Sequence, residues 1–309
     1  MINEQWRYLV DNENFYMKEI LIMENAIELK HIDKSFKGFE IKDLSFSVKK
    51  GSITGFIGPN GSGKTTTIKM IMNLIFQDKG TLKIFGLDHT KYEKELKKQI
   101  GFVYAENYFY DHLTIQQMKQ IIAPFYKKWD EVVFKNYMKT FNLPWKKKIK
   151  HLSTGMKMKL SLAIALSHHA DLIIMDEPTS GLDPIFRREI LDVLSRVIQE
   201  ENKTILFSTH ITTDLEQIAD NIVFIYNGRI IFSDAKDTIQ EKYSIIKGSS
   251  DLLDSDNKSL FVSTRKTPNG FEGLTIESKQ VEILMGNQIS TEPANLEDIM
   301  IFTAMGGEA

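Results

Sequence analysis

Eight consecutive residues, Gly58-Pro59-Asn60-Gly61-Ser62-Gly63-Lys64-Thr65, fit the pattern Gly-x-x-x-x-Gly-Lys-Ser/Thr. Residues of these types at this spacing can hold a polyphosphate. The glycines let the backbone curl until successive amides face one anion. Lys64 adds a full positive charge, the Thr65 hydroxyl can ligate Mg²⁺, and Thr66 extends the phosphate-binding set into the first helical turn. A second segment, Leu172-Ile173-Ile174-Met175-Asp176-Glu177, is an apolar run that ends in adjacent carboxylates. Asp176 can hold Mg²⁺ through its water shell, and Glu177 can orient or deprotonate an attacking water. The two segments together point to binding and hydrolysis of a nucleoside triphosphate.

Those residues need a strand before the loop, a helix after it, and a strand that delivers the two acids. Short apolar runs predict strands at Ala26–Leu29, Ser52–Ile57, Thr81–Phe85, Ile100–Tyr104, Leu172–Met175, Thr204–Ser208 and Ile222–Tyr226. Helical spacing follows the loop at Ile68, Ile71, Met72 and Ile75. It recurs at Ile190, Leu191, Leu194, Val197 and Ile198, behind a cap and first-turn proline at Asp183 and Pro184. Alternating strands and helices predict an α/β domain with a largely parallel core sheet over residues 24–232.

Residues 106 to about 168 read instead as a helical insertion, with Thr114 and Gln117 as a capping box and Val133, Phe134, Tyr137, Met138 and Phe141 as an apolar stripe. Its many lysines, Lys119 to Lys150, make a basic surface, read either as a solvated face or as a contact for acidic lipid headgroups or an acidic partner. Residues 233–309 read as a small α+β appendage. There Asn227-Gly228 makes a hairpin turn at its entrance, Leu260–Lys266 and Phe271–Ser278 are strands, and Asn295 caps a last helix, Leu296–Ala304. Residues 1–23 read as a poorly packed extension.

Composition narrows the class. The 309 residues are 42% hydrophobic and 26% charged, with a net charge of −2, so global charge points to neither nucleic acid nor membrane. Cysteine is absent, which removes disulfide scaffolds and thiolate chemistry. No apolar stretch approaches the ~18 residues of a membrane span, and the N-terminus lacks a signal-peptide pattern. A cytoplasmic chain is expected. The adjacent His168-His169 pair has no third ligand placed by sequence, so it is not read as a metal site.

Leu152-Ser153-Thr154-Gly155-Met156 resembles the signature segment of the ATP-binding cassette (ABC) family, usually Leu-Ser-Gly-Gly-Gln. The resemblance covers residues 24 to about 232. Phe36 fits the adenine-stacking aromatic, Ser180-Gly181-Leu182-Asp183 the loop after the magnesium strand, and Thr209-His210 the switch histidine. The resemblance implies a P-loop NTPase cassette with a mixed sheet core and a helical subdomain, binding ATP and Mg²⁺. It implies catalytic roles for Lys64, Glu177 and His210. It implies nucleotide contacts from Phe36, from residues 58–66, and from Ser153, Thr154, Gly155 and Asp183, and metal contacts from Thr65 and Asp176; Glu106 is the nearest polar residue to a further metal position that the family fills with glutamine. In such cassettes the signature helix completes the ATP site of a second cassette, self or paralogue, and a separate multi-span permease holds the ATPase at the inner face of the cell membrane. The stretches from Gly101 to Leu113 and from Gly155 to Lys159 are similar to exporter ATPases that handle drugs, lipids or antimicrobial and cytolytic peptides, including the phenol-soluble modulin exporter group. No nucleic-acid partner is implied. The alternatives are a soluble cassette ATPase without a transporter and a regulatory cassette with little turnover.

This sequence departs from the family pattern at three places. Thr154 replaces a glycine, Met156 a glutamine, and Ala105 the glutamine that follows the strand Ile100–Tyr104. Two readings of the neighbouring Glu106 follow: it swings in toward Mg²⁺ and the attacking water, or it faces solvent and the isolated subunit turns over slowly. The aromatics Tyr108, Phe109 and Tyr110 could stack on nucleic acid; the reading taken over that one is that they pack where the insertion meets a partner, gripping a helix of the membrane chain.

Overall fold

The computed structural model describes residues 24–104, 109–201, 203–254 and 257–306. The expected extension 1–23, Ala105, Glu106 and Tyr108 lie outside the described residues.

Three sheets organise the described residues. The core sheet has the order β10-β9-β3-β8-β7-β6, built from β3 (Ile53–Ile57), β6 (Ile100–Tyr104), β7 (Leu172–Asp176), β8 (Thr204–Thr209), β9 (Asn221–Tyr226) and β10 (Arg229–Ala235). Neighbours from β9 through β6 run parallel, and β10 returns antiparallel through the Asn227-Gly228 turn. Both turn residues have positive φ, 46° and 71°, which matches the twist of a tight hairpin. The strands β3, β7 and β8 are buried at every position, as sheets covered on both faces require.

An antiparallel sheet, β2-β1-β4-β5, lies apart from the core sheet: β1 (Asn25–Phe36), β2 (Phe39–Lys49), β4 (Lys79–Ile84) and β5 (Leu87–Asp88). Thus the run expected at Thr81–Phe85 is a strand of this second sheet, where it pairs with β1, and not a member of the parallel core. Strand β2 was not among the expected strands. Its buried residues Leu44, Phe46 and Val48 alternate with period two, but Ile41 stands three residues before Leu44, and Glu40, Lys42 and Asp43 around it dilute the apolar signal.

Helices pack on the core as their apolar faces dictate. The helix Lys64–Ile71 follows β3 and ends at Ile71, so Ile75 lies beyond it. In the insertion, Thr114 and Gln117 form the capping box of the helix Ile115–Ile122, and Phe134 and Met138 bury the inner face of Glu131–Thr140. The helix Thr154–Ser167 is capped by the Ser153 hydroxyl, which accepts from the Met156 amide at 3.2 Å. Asp183 Oδ1 caps the helix Pro184–Glu201 by accepting from the amides of Ile185 (3.0 Å) and Phe186 (3.1 Å). Among the described residues no helix is long and apolar enough to cross a membrane.

The C-terminal part forms a four-stranded antiparallel sheet, β12-β13-β11-β14: β11 (Ser244–Gly248), β12 (Ser263–Thr267), β13 (Gly270–Thr275) and β14 (Ile289–Pro293). Its strands are shorter than the sequence suggests. Leu260 ends a 3₁₀ turn, and Ser278 opens a helix, Ser278–Met285, that the apolar run had hidden. Asn295 Oδ1 accepts from the Asp298 amide at 2.8 Å, at the start of the last helix, Leu296–Gly306. That helix buries Leu296, Ile299 and Phe302 in the main hydrophobic core. A smaller core of Ile246, Phe261, Phe271, Val281 and Met285 sits within the appendage itself.

Candidate functional site

The phosphate-type loop, residues 58–63, joins the end of β3 to the helix Lys64–Ile71. Gly63 has φ 113°, a conformation that disfavours a side chain, and it directs the chain into the helix. The Ser62 hydroxyl is buried without a hydrogen-bond partner. Lys64 is buried, and its Nζ donates to the carbonyls of Gly58 (2.6 Å) and Pro59 (3.2 Å), across the mouth of the loop. The hairpin β9–β10 braces the loop from outside: the Gly228 amide donates to the Ser62 carbonyl at 3.0 Å, and the Lys42 amide of β2 donates to the Gly228 carbonyl at 3.1 Å. A Cβ at Gly228 would lie 1.9 Å from the Glu40 carbonyl oxygen, so only glycine fits this brace. The sequence marks Gly228 as a turn residue; only the fold brings it to the loop.

The two acids arrive at the same place at the end of β7. Asp176 is buried, and the Ser208 hydroxyl donates to its Oδ1 at 2.6 Å. The Thr65 side chain also hydrogen-bonds Asp176. Burial pushes the Asp176 carboxyl up from the usual carboxylate range, while the two hydroxyls oppose the shift; the charge of Glu177 adds to it and that of Lys64 counters it. Glu177 takes φ 50°, uncommon for a residue with a side chain and a source of about 1–3 kcal/mol of local strain. Its carboxylate lies 3.3 Å from Lys64 Nζ and 2.7 Å from His210 Nδ1. The three residues expected to be catalytic, Lys64, Glu177 and His210, therefore share one cluster with Thr65 and Asp176.

The remaining expected residues fall into two groups. Phe36 stands exposed at the end of β1, with Lys34 Nζ 5.5 Å from its ring centroid; its cross-strand partner Phe39 packs toward Gly63. This puts an open aromatic face on the hairpin beside the loop. Pro59, Asn60, Gly61 and Thr66 remain at least partly accessible around the loop. Ser153, Thr154, Gly155 and Asp183, by contrast, are engaged at two helix starts: Ser153 and Asp183 cap, and the Phe186 ring lies under Gly155 at 3.3 Å from the position of a Cβ. Ser153 and Thr154 are exposed there.

Sequence reasoning missed the network behind the acids. Ser208 sits opposite Asp176 in the β7–β8 register. Asp214, buried, accepts from the Thr179 hydroxyl at 2.6 Å and pairs with Arg187 Nε, while Arg187 Nη2 donates to the Thr213 hydroxyl at 2.7 Å. This ties the loop after the acids to the helix Thr212–Ile218 that follows His210. These residues are scattered in sequence and carry no motif.

The donor set suits a magnesium nucleotide. Thr65 and Asp176 offer hard oxygen ligands. Such a site fits Mg²⁺ held by few protein oxygens together with substrate phosphates. The buried, unpartnered Ser62 hydroxyl and the Lys64 ammonium at the loop fit those phosphates.

A groove of about 300 Å³ opens beside β6. Phe102 and Tyr104 of β6, Phe109, Ile122, Phe125 and Tyr126 line it, and Ser161 and Ile164 of the helix Thr154–Ser167 close it. Of the aromatics expected to grip a partner, Phe109 lines the groove, whereas Tyr110 faces outward with its ring 6.0 Å from His112.

Comparison with known proteins agrees with this geometry. Residues 41–180 match the family model described as ABC transporter. The chain is 34% identical over 218 residues to the ABC transporter ATP-binding protein YtrB of Bacillus subtilis (strain 168), covering 70% of this chain and 74% of that protein. It is 36% identical over 212 residues to the bacitracin transport ATP-binding protein BcrA of Bacillus licheniformis, covering 68% and 69%. A solved ATP-binding subunit of an ABC transporter superposes with a TM-score of 0.64 at 27% identity, covering 70% of this chain and 92% of that one. With the loop, the paired acids and His210 in one cluster, the chain belongs to the ATP-binding proteins of the ABC transporter family.

Proposed function

We propose that this chain hydrolyses ATP to power an exporter whose membrane-spanning part is a separate chain. The observation that carries the proposal is the convergence of Lys64, Thr65, Asp176, Glu177 and His210 within hydrogen-bond or ion-pair reach of one another at the phosphate-type loop. In this reading residues 24–232 are the nucleotide-binding cassette, residues 106 to about 168 its helical part, and residues 233–309 an accessory module.

The residues divide the work. The loop amides of residues 60–63, the Ser62 hydroxyl and Lys64 hold the β- and γ-phosphates, and Phe36 stacks on the adenine. Thr65 and Asp176 hold Mg²⁺, which when bound neutralises charge on the phosphate oxygens. Glu177 accepts the proton of the attacking water. His210 fixes the Glu177 carboxylate through Oε2, and Lys64 neutralises it through Oε1, so the base is already aimed. Glu106 is the remaining expected metal contact, as a substitute for the glutamine that Ala105 replaces.

Ser153, Thr154 and Gly155 stand at an exposed helix start whose amides can face an anion. Within this chain they make their contacts at that helix start, away from the cluster around Lys64. A second cassette, this chain or a paralogue, uses them: each signature helix completes the other's ATP site, with Asp183 and its loop between them. The aromatic groove receives a short helix of a multi-span permease. Its wall is the same helix, Thr154–Ser167, that carries the signature at its start, so closure of the cassette pair moves the docked helix. This places the chain at the inner face of the cell membrane through its partner. Similarity to a bacitracin transport ATP-binding protein supports a peptide or drug cargo. The test is affinity purification of the full chain from its native membrane. A multi-span chain should co-purify and stimulate ATP hydrolysis; recovery of the ATPase alone, with no stimulation by membranes, would overturn the proposal.

A further inference from the structure

Ser208 lies on β8, fully buried, in register between Phe56 of β3 and Asp176 of β7. Its hydroxyl donates to Asp176 Oδ1 at 2.6 Å and accepts from the Glu177 amide at 3.2 Å. The same amide also donates to the Ser208 carbonyl at 3.1 Å. One residue of a neighbouring strand thus holds both acids, one through its side chain and the other through its backbone. A hydroxyl has one proton to give and lone pairs to receive, so this pattern uses it in both directions. Glu177 needs such a hold, because its φ of 50° lies in a region where a residue with a side chain persists only when its surroundings fix it.

We infer that Ser208 is the positioning residue of this site, setting the Asp176 carboxylate for Mg²⁺ and the Glu177 backbone for catalysis with a single hydroxyl. The inference rests on the assignment of Asp176 and Glu177 to metal and water. With its Oδ1 hydrogen-bonded to Ser208, the Asp176 carboxylate cannot rotate freely, and its position relative to Thr65 is fixed. With the Glu177 amide bound at two points, the side chain leaves the strand toward Lys64 and His210. An apolar side chain at position 208 would leave a buried carboxylate oxygen short of a donor and the strained peptide with its carbonyl partner alone. Partners of this kind, one layer behind a metal ligand, typically change metal affinity or activity by about 10–100-fold when removed.

The test compares Ser208→Ala, Ser208→Thr and wild type as full-length chains. The readout separate from turnover is nucleotide binding, measured by fluorescence of a labelled ATP analogue as Mg²⁺ is titrated. Ser208→Ala should bind the analogue without Mg²⁺ as wild type does, which shows that the fold and the loop are intact. It should need about tenfold more Mg²⁺ for half-maximal enhancement, with turnover down by about 10–100-fold. Ser208→Thr, which keeps the hydroxyl, should restore the Mg²⁺ response at least in part. An unchanged Mg²⁺ titration with turnover within twofold of wild type in Ser208→Ala overturns the inference, as does a Ser208→Thr protein that binds nucleotide but responds to Mg²⁺ no better than Ser208→Ala. Asp176→Asn and Glu177→Gln run in parallel separate the two levels. If they too leave Mg²⁺ response and turnover intact, the assignment of the acids fails; if they do not while Ser208→Ala does, only the role of Ser208 fails.

Discussion

The ends of the parallel strands β3, β7 and β8 and the antiparallel C-terminal sheet treat polar groups differently. Around the strand ends the fold buries Lys64, Asp176, Ser208, Thr209 and Asp214. From residue 215 onward, Thr275 is the one buried polar side chain among the described residues, and its hydroxyl simply donates to the Leu260 carbonyl and accepts from the Glu277 amide. Burying charge is costly unless every group is partnered. The strand ends meet that condition with a chain of short contacts, from Lys64 to Glu177 to His210 and from Ser208 to Asp176. The difference separates two ways of using a sheet: the parallel strand ends accept a strained, charged interior, while the C-terminal sheet keeps its charged side chains at the surface, on β12 and β14, and is joined to the core by its last helix.

The sharpest way to break this comparison is at Glu177. Glu177→Gln removes the carboxylate proposed to activate water but keeps the shape, and turnover should fall by roughly 10²–10⁴-fold with ATP binding retained. Turnover within twofold of wild type would remove Glu177 from that role. Lys64→Ala comes next. It deletes the loop's only side-chain ammonium, and ATP affinity should drop by about 10–100-fold, the scale of a hydrogen bond to a charged group. Equilibrium dialysis showing unchanged affinity would mean that the loop amides suffice.

A third test concerns the groove. Phe109→Ala with Phe125→Ala should leave hydrolysis by the isolated chain within about twofold while abolishing its stimulation by the membrane partner, because anchors of this type carry much of an interface's binding energy. Stimulation that survives both changes would place docking elsewhere. Behind the groove, His168 stacks on Tyr126 at 3.9 Å between ring centroids. Burial, helped by the charges of His169 and Lys203, lowers the His168 pKa to about 4, against the opposing pull of its own backbone hydrogen bond. The folded value lies below the ordinary 6.5, so the unfolded chain takes up the proton first. Stability contributed by neutral His168 is present above pH 6.5 and is lost as pH falls toward 4, by up to about 3 kcal/mol. The melting temperature of wild type, measured against that of His168→Phe from pH 7 to pH 4.5, should fall relative to the variant if this is right and keep a constant offset if it is wrong.

The smallest effect is expected in the other region. Arg265 pairs with Glu272 at 2.6 Å and lies over the Phe302 ring. As a half-exposed pair on the C-terminal sheet, its loss in Arg265→Ala should cost about 1 kcal/mol or less and change turnover by less than about twofold. A large loss of hydrolysis there would show that the appendage reaches the catalytic cluster through the helix Leu296–Gly306, whose Leu296 amide donates to Glu216 at 3.0 Å.

Contiguity decides what could be read from the sequence. The loop 58–65 and the acids 176–177 are legible because their chemistry is carried by neighbours in the chain. The buried strands β3, β6, β7, β8 and β9 are legible because they are short apolar runs. Strand β2 was not, since charged residues interrupt its alternation, and the helix Ser278–Met285 was not, since its apolar residues continue those of β13. Ser208, Asp214 and Gly228 reach the site only through strand register, a hairpin brace and packing. A serine before Thr-His or a glycine in a turn has many ordinary explanations, so no signal in the chain could single them out.

The central claim is that these buried groups form an ATP site that a second cassette closes. Light scattering on the Glu177→Gln chain, with ATP and Mg²⁺ saturating, tests it most directly. The account predicts twice the monomer mass with ATP, and the monomer mass both without nucleotide and in the Lys64→Ala chain. A Glu177→Gln protein that demonstrably holds ATP yet keeps the monomer mass would contradict it.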